Sequence, residues 1–152
     1  MANKNKSSIW AVIILIATIL SLVVLASTIA ISVVTLPDTL ANAKQAAIDS
    51  GATAGEAELA ASIALGAFIA ALVFASAFDV LKIIGGFMFS LKGRWGIFCI
   101  IVSIMSAVGG FWNLINDITN KSPIANIIVA IAGLAINVVL VIACFKHYAE
   151  NK

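Results

Sequence analysis

Residues 83–98 read IIGGFMFSLKGRWGIF. A basic tripeptide, Lys92-Gly93-Arg94, interrupts what is otherwise one apolar run over residues 60–115. A helical membrane crossing takes about 20 apolar residues. The run is therefore long enough for two crossings, and the tripeptide is the natural turn between them. Working outward, residues 9–35 and 124–145 are also apolar and carry no charge. The chain is 62% hydrophobic and only 11% charged, too apolar for a soluble domain of 152 residues. The continuous runs lack the period-two alternation of a membrane barrel. The expected fold is an all-α membrane protein, a four transmembrane helix bundle with a short helical outer loop. It forms a single domain over residues 1–152, with spans at about 9–35, 60–91, 95–116 and 123–145 and the loop at 36–59. The first run exceeds the roughly 7–15 residues of a signal core and is read as an uncleaved span.

Positive charge sets the expected orientation. Lys4, Lys6, Lys92, Arg94, Lys146 and Lys152 fall on one side of the four spans. Lys44 and Lys121 fall on the other, among Asp38, Asp49, Glu56, Glu58 and Asp117. The positive-inside rule then predicts an integral, multi-pass protein with both termini cytoplasmic. Trp10, Trp95 and Tyr148 fall at the inner interface and Trp112 near the outer one, where amphipathic rings settle. In the outer segment, Leu36-Pro37-Asp38-Thr39 reads as a helix start, Gly51 as a stop and Thr53 to Glu58 as a second start. Asp117 and Lys121 are spaced for a weak exposed pair.

Within this apolar frame the second span carries Asp79 and Lys82. Counting from Leu91, Asp79 lies about 18 Å deep and Lys82 about 13 Å at 1.5 Å per residue. Charge at such depth is costly and marks a functional-site hypothesis. The i, i+3 spacing puts both on one helix face. Ser103 and Ser106 of the third span, Asn137 of the fourth, and Thr18 and Ser21 of the first fall in the same depth band. Such a layer has two readings. One is an internal clasp, in which Asp79 and Lys82 neutralise each other and the hydroxyls and amide satisfy what remains. The other is an ion or proton site built from Asp79, Lys82, Ser103, Ser106 and Asn137. Small residues recur at helical spacing at Ala67, Ala71 and Ala75, a ridge that Gly86 continues past Lys82, with Gly110 on the third span and Gly133 on the fourth. Small residues let membrane helices approach closely, so these six are predicted packing positions.

Other chemistry is sparse. Cys99 and Cys144 are near the cytoplasmic ends of their spans, a reducing side, and are expected as buried free thiols. His147 has no second ligand in the sequence, so no metal site is predicted. Phosphate loops and nucleophile elbows are absent from the sequence, as is any basic run suited to nucleic acid. No cofactor and no enzymatic activity are expected. The order of spans resembles small tetraspan proteins such as claudins and MARVEL-type proteins in topology. The claudin-type outer Trp and Cys motif is missing from residues 36–59, so that family's function is not carried over. Two function classes follow. The first is a non-enzymatic accessory, scaffold or complex subunit, working through helix association with membrane lipid around it and a second copy or a membrane-protein partner beside it. The alternative is an ion- or proton-coupled small transporter or channel subunit using the Asp79/Lys82 layer.

Overall fold

The computed structural model describes residues 8–151, which places Lys4, Lys6 and Lys152 outside the described residues. It holds four helices: α1 (Ile9–Asp49), α2 (Ala54–Lys92), α3 (Gly96–Thr119) and α4 (Ile124–Glu150). No strand occurs among the described residues. All four helices are long and apolar enough to cross a membrane.

The first two helices are longer than a crossing requires. α1 has 41 residues and α2 has 39. At 1.5 Å per residue each would run about 60 Å, twice the roughly 30 Å of a bilayer core. This corrects the expectation of a separate helical outer loop at 36–59. No new helix starts at Leu36-Pro37; α1 continues through Pro37 to Asp49. An internal proline removes one helical hydrogen bond and crowds the carbonyl four residues earlier. Here threonine hydroxyls bond to carbonyls on either side of that defect. Thr35 Oγ1 donates to the Ile31 carbonyl at 3.0 Å and Thr39 Oγ1 to the Thr35 carbonyl at 3.0 Å. Neither reaches the Val33 carbonyl that Pro37 frees, so the helix continues despite one missing bond. The Ala-rich stretch after it has high helix propensity and propagates the helix.

The turns follow local chemistry. α1 ends at Gly51, whose φ of 92° suits a residue without Cβ. Ala52 N–H donates to the Ala47 carbonyl at 3.0 Å and Gly51 N–H to the Ile48 carbonyl at 2.9 Å, a Schellman closure. Thr53 then starts α2 with a capping box. Glu56 accepts from the Thr53 N–H at 2.7 Å, and the Glu56 N–H reaches Thr53 Oγ1 at 3.4 Å. Lys44 and Glu58 form an ion pair across this turn. Gly93, with φ of 62°, and Trp95, with φ of 68°, make the basic turn. The α3–α4 turn repeats the Schellman pattern with Lys121 at φ 52°. Asp117 accepts from Ser122 Oγ at 2.8 Å, so its partner is Ser122 rather than Lys121.

By packing, the chain divides into two compact units. One is Thr28–Ala77, the other joins Met1–Ser27 with Phe78–Lys152. The second unit draws a core from all four helices: Ile14 and Ala17 of α1, Phe89 of α2, Cys99 and Ile100 of α3, and Leu140, Ala143 and Cys144 of α4. Trp10 and Tyr148 pack against it. The two described ends of the chain meet at the same place, where Ser8 Oγ donates to the Glu150 carboxylate.

Glycines set the close approaches in this core. A Cβ on Gly86 would overlap Thr18 Oγ1 and lie 3.1 Å from its Cγ2. A Cβ on Gly133 would meet Val24 Cγ1 at 3.3 Å, and one on Gly110 would meet Asn137 Nδ2 at 3.5 Å. These three predicted packing positions are therefore in use within the chain. Ala67, Ala71 and Ala75 are exposed within this chain, which leaves that ridge uncovered.

Candidate functional site

Asp79 and Lys82 sit one turn apart on α2, in the stretch that belongs to the four-helix core. Lys82 Nζ donates to Asp79 Oδ1 at 2.7 Å and to Asn137 Oδ1 of α4 at 2.9 Å. Asn137 Nδ2 in turn donates to the Ser106 carbonyl of α3 at 3.1 Å. An ammonium has only donors, so it must face the oxygen of the Asn137 amide. That orientation leaves the NH₂ for the α3 backbone. One chain of charge-assisted and neutral hydrogen bonds thus ties α2 to α4 and α4 to α3.

Burial along this chain is uneven. The Lys82 side chain is 6% exposed and the Asp79 side chain 35%. The cation is sealed inside the protein, while its counter-ion sits at the rim. Lysine stems are apolar, and its four methylenes pack within the core as the head reaches Asp79.

The predicted layer is gathered only in part. Asp79, Lys82, Asn137 and Ser106 come together, but Ser106 contributes its carbonyl; its hydroxyl is buried without a hydrogen bond. Ser103 is fully buried one turn after Cys99, and its hydroxyl makes no hydrogen bond, so it does not join the network. The α1 hydroxyls leave the layer altogether. Thr18 Oγ1 donates to the Ile14 carbonyl at 2.7 Å and Ser21 Oγ to the Ala17 carbonyl at 2.9 Å. Back-bonding to the i−4 carbonyl is the local alternative open to any Ser or Thr in a helix. Equal depth predicts a shared layer only if side chains also point at one another, and these do not.

Two features escaped the sequence reading. Cys99 and Cys144 face each other across α3 and α4, Sγ to Sγ at 2.9 Å, 1% and 0% exposed. Cys99 lies near the start of α3 and Cys144 near the end of α4, and that antiparallel match was the available signal. His147, expected on a charged tail, is buried instead, because α4 runs to Glu150. Its ring lies 4.7 Å from that of Phe89, tilted by 56°. Chemically, the site holds a neutralised charge pair and a thiol pair, each enclosed by helix packing.

No protein-family model, curated protein or solved structure matches this chain.

Proposed function

We propose that this protein is a non-enzymatic membrane scaffold or accessory subunit, working through lateral helix–helix association. The observation that carries this reading is the exposed Ala67, Ala71 and Ala75 ridge on α2. Small residues four apart allow backbone approach between membrane helices, and interfaces are enriched in them. Within this chain Gly86, Gly110 and Gly133 already serve that purpose, whereas the alanine ridge is uncovered. A helix of a second copy or of another membrane protein fits it. The Lys82 network agrees with a structural role: it ties α2, α3 and α4 in register.

The ridge is tested by steric substitution. Ala71→Leu is expected to shift the protein from a larger assembly toward monomer in size-exclusion chromatography with light scattering. Val73→Leu, on the exposed opposite face, is expected to leave the assembly unchanged. A wild-type protein that is monomeric in lipid nanodiscs and captures no partner at position 71 by cross-linking removes the basis of the proposal.

The proposed setting is a four-span bundle with both termini cytoplasmic, supported by the charge asymmetry of the turns and tails. Reporters fused after Lys152 should read as cytoplasmic, and reporters within residues 41–50 as external. A cytoplasmic signal from residues 41–50 rejects this orientation.

A second reading is kept for one observation. Asp79 is one-third exposed and accepts a single hydrogen bond, from Lys82. A carboxylate at the rim of a buried cation is the arrangement an ion- or proton-coupled subunit would use. Under that reading Asp79→Asn folds normally and abolishes ion- or pH-dependent flux in liposomes. Under the scaffold reading it destabilises the protein.

A further inference from the structure

Cys99 and Cys144 are buried in the core, with sulfurs 2.9 Å apart on adjacent helices. A disulfide has its sulfurs about 2.0 Å apart, so closing the bond takes a movement of less than about 1 Å. The site is also shaped to exclude large reagents: Phe89, Leu140 and Ala143 belong to the same sealed cluster. Bulky thiols such as glutathione, which keep cytosolic cysteines reduced, do not reach sulfurs with this exposure. Hydrogen peroxide, uncharged and close to water in size, is the oxidant suited to so enclosed a pair.

We propose that Cys99 and Cys144 form a peroxide-responsive modification site that closes into an α3–α4 disulfide. The Ser103 hydroxyl is fully buried one turn after Cys99 on the same helix and makes no hydrogen bond. Cys99, one turn before Ser103 on the same helix, is the attacking sulfur. It displaces hydroxide from hydrogen peroxide, its thiol proton completing one water, and becomes a sulfenic acid. Cys144 then attacks that sulfur, the S–O bond breaks, and the thiol proton leaves with the oxygen as a second water. Two thiols and one peroxide yield one disulfide and two waters. The two sulfurs are oxidised by two electrons in total and the peroxide is reduced by two. The bond pins α3 to α4, and its burial makes reversal slow until the fold opens.

The test uses the full chain in detergent micelles. Protein is treated with hydrogen peroxide, unfolded, alkylated and analysed by mass spectrometry. The expected product has lost two hydrogens and both alkylatable thiols, with one intramolecular peptide link between residues 99 and 144. The link should resist a charged phosphine reductant in the folded protein and be cleaved once the protein is unfolded. In Cys144→Ser, Cys99 should accumulate as a sulfenic acid trapped by dimedone. In Cys99→Ser, Cys144 should react at least about tenfold more slowly. The proposal is overturned if both thiols survive peroxide that fully oxidises a control thiol peptide. Separate sulfinic acids at the two positions overturn it equally. The wild-type cross-link decides the matter even if a serine variant fails to fold.

Discussion

Asp79→Asn lowers the stability of the protein by about 3–5 kcal/mol, the cost of stranding one member of a buried ion pair. The magnitude is diagnostic. A neutral polar contact between membrane helices averages only about 0.6 kcal/mol, so losing a hydrogen bond alone would barely register. The loss comes from leaving the Lys82 ammonium, 6% exposed, beside the Asn137 amide and no counter-charge. Lys82→Met is expected to cost less. The carboxylate it strands is 35% exposed against 6% for the ammonium, so it is the less desolvated of the two. Asn137 loses its donor in that variant, which adds about 1–3 kcal/mol for an unsatisfied buried acceptor. Thermal unfolding of both variants in one detergent measures the order. A Lys82→Met loss larger than that of Asp79→Asn contradicts the uneven burial of the pair.

Gly86→Ala is the second large effect, about 1–3 kcal/mol of destabilisation from overpacking. A Cβ there overlaps Thr18 Oγ1, which cannot simply turn away. Thr18 is fully buried and its hydroxyl is held by the Ile14 carbonyl at 2.7 Å. The two helices must therefore part. Gly109 provides the contrast, since nothing lies within 4 Å of a Cβ at that position. Gly109→Ala should be neutral or stabilising by up to about 1 kcal/mol through helix propensity. Adding Thr18→Ala to Gly86→Ala should restore much of the loss by removing the obstructing atoms. Indistinguishable unfolding of Gly86→Ala and Gly109→Ala rejects the Thr18–Gly86 contact.

Much of this architecture was legible in the residues. Run length against bilayer thickness gives four helices, and Lys92-Gly93-Arg94 marks the tightest turn. Gly51 and Thr53 announce the α1–α2 turn because only particular residue types satisfy a left-handed cap or a capping box. The spacing of Asp79 and Lys82 implies their pairing, since i, i+3 positions on a helix adjoin.

What was not legible depends on orientation and on competition between local and global terms. Pro37 carries the signature of a helix start, yet apolar residues before it and alanines after it outweigh one lost hydrogen bond. Thr18, Ser21 and Ser103 match the depth of Lys82, but depth says nothing of azimuth. The hydroxyls of α1 turned to their own carbonyls, and the Ser103 hydroxyl is buried without a hydrogen bond. Ala67, Ala71 and Ala75 have the same small size as Gly86 and Gly133, and only the packed chain separates positions already in contact from those left open. Cys99 and Cys144 meet because α3 and α4 are antiparallel neighbours, which sequence separation alone does not disclose.

The central claim is that the polar layer is an internal clasp that holds the helices in register for a scaffold. Its most direct test is the unfolding temperature of the Asp79→Asn, Lys82→Met double variant beside the two single variants in the same detergent. With both charges gone no ion is stranded; the amides at 79 and 137 lose the Lys82 donor, while Asn137 Nδ2 keeps the Ser106 carbonyl. The clasp predicts that the double variant recovers most of the stability lost in Asp79→Asn. A double variant at least as unstable as the worse single variant, together with a folded but flux-deficient Asp79→Asn protein, contradicts it.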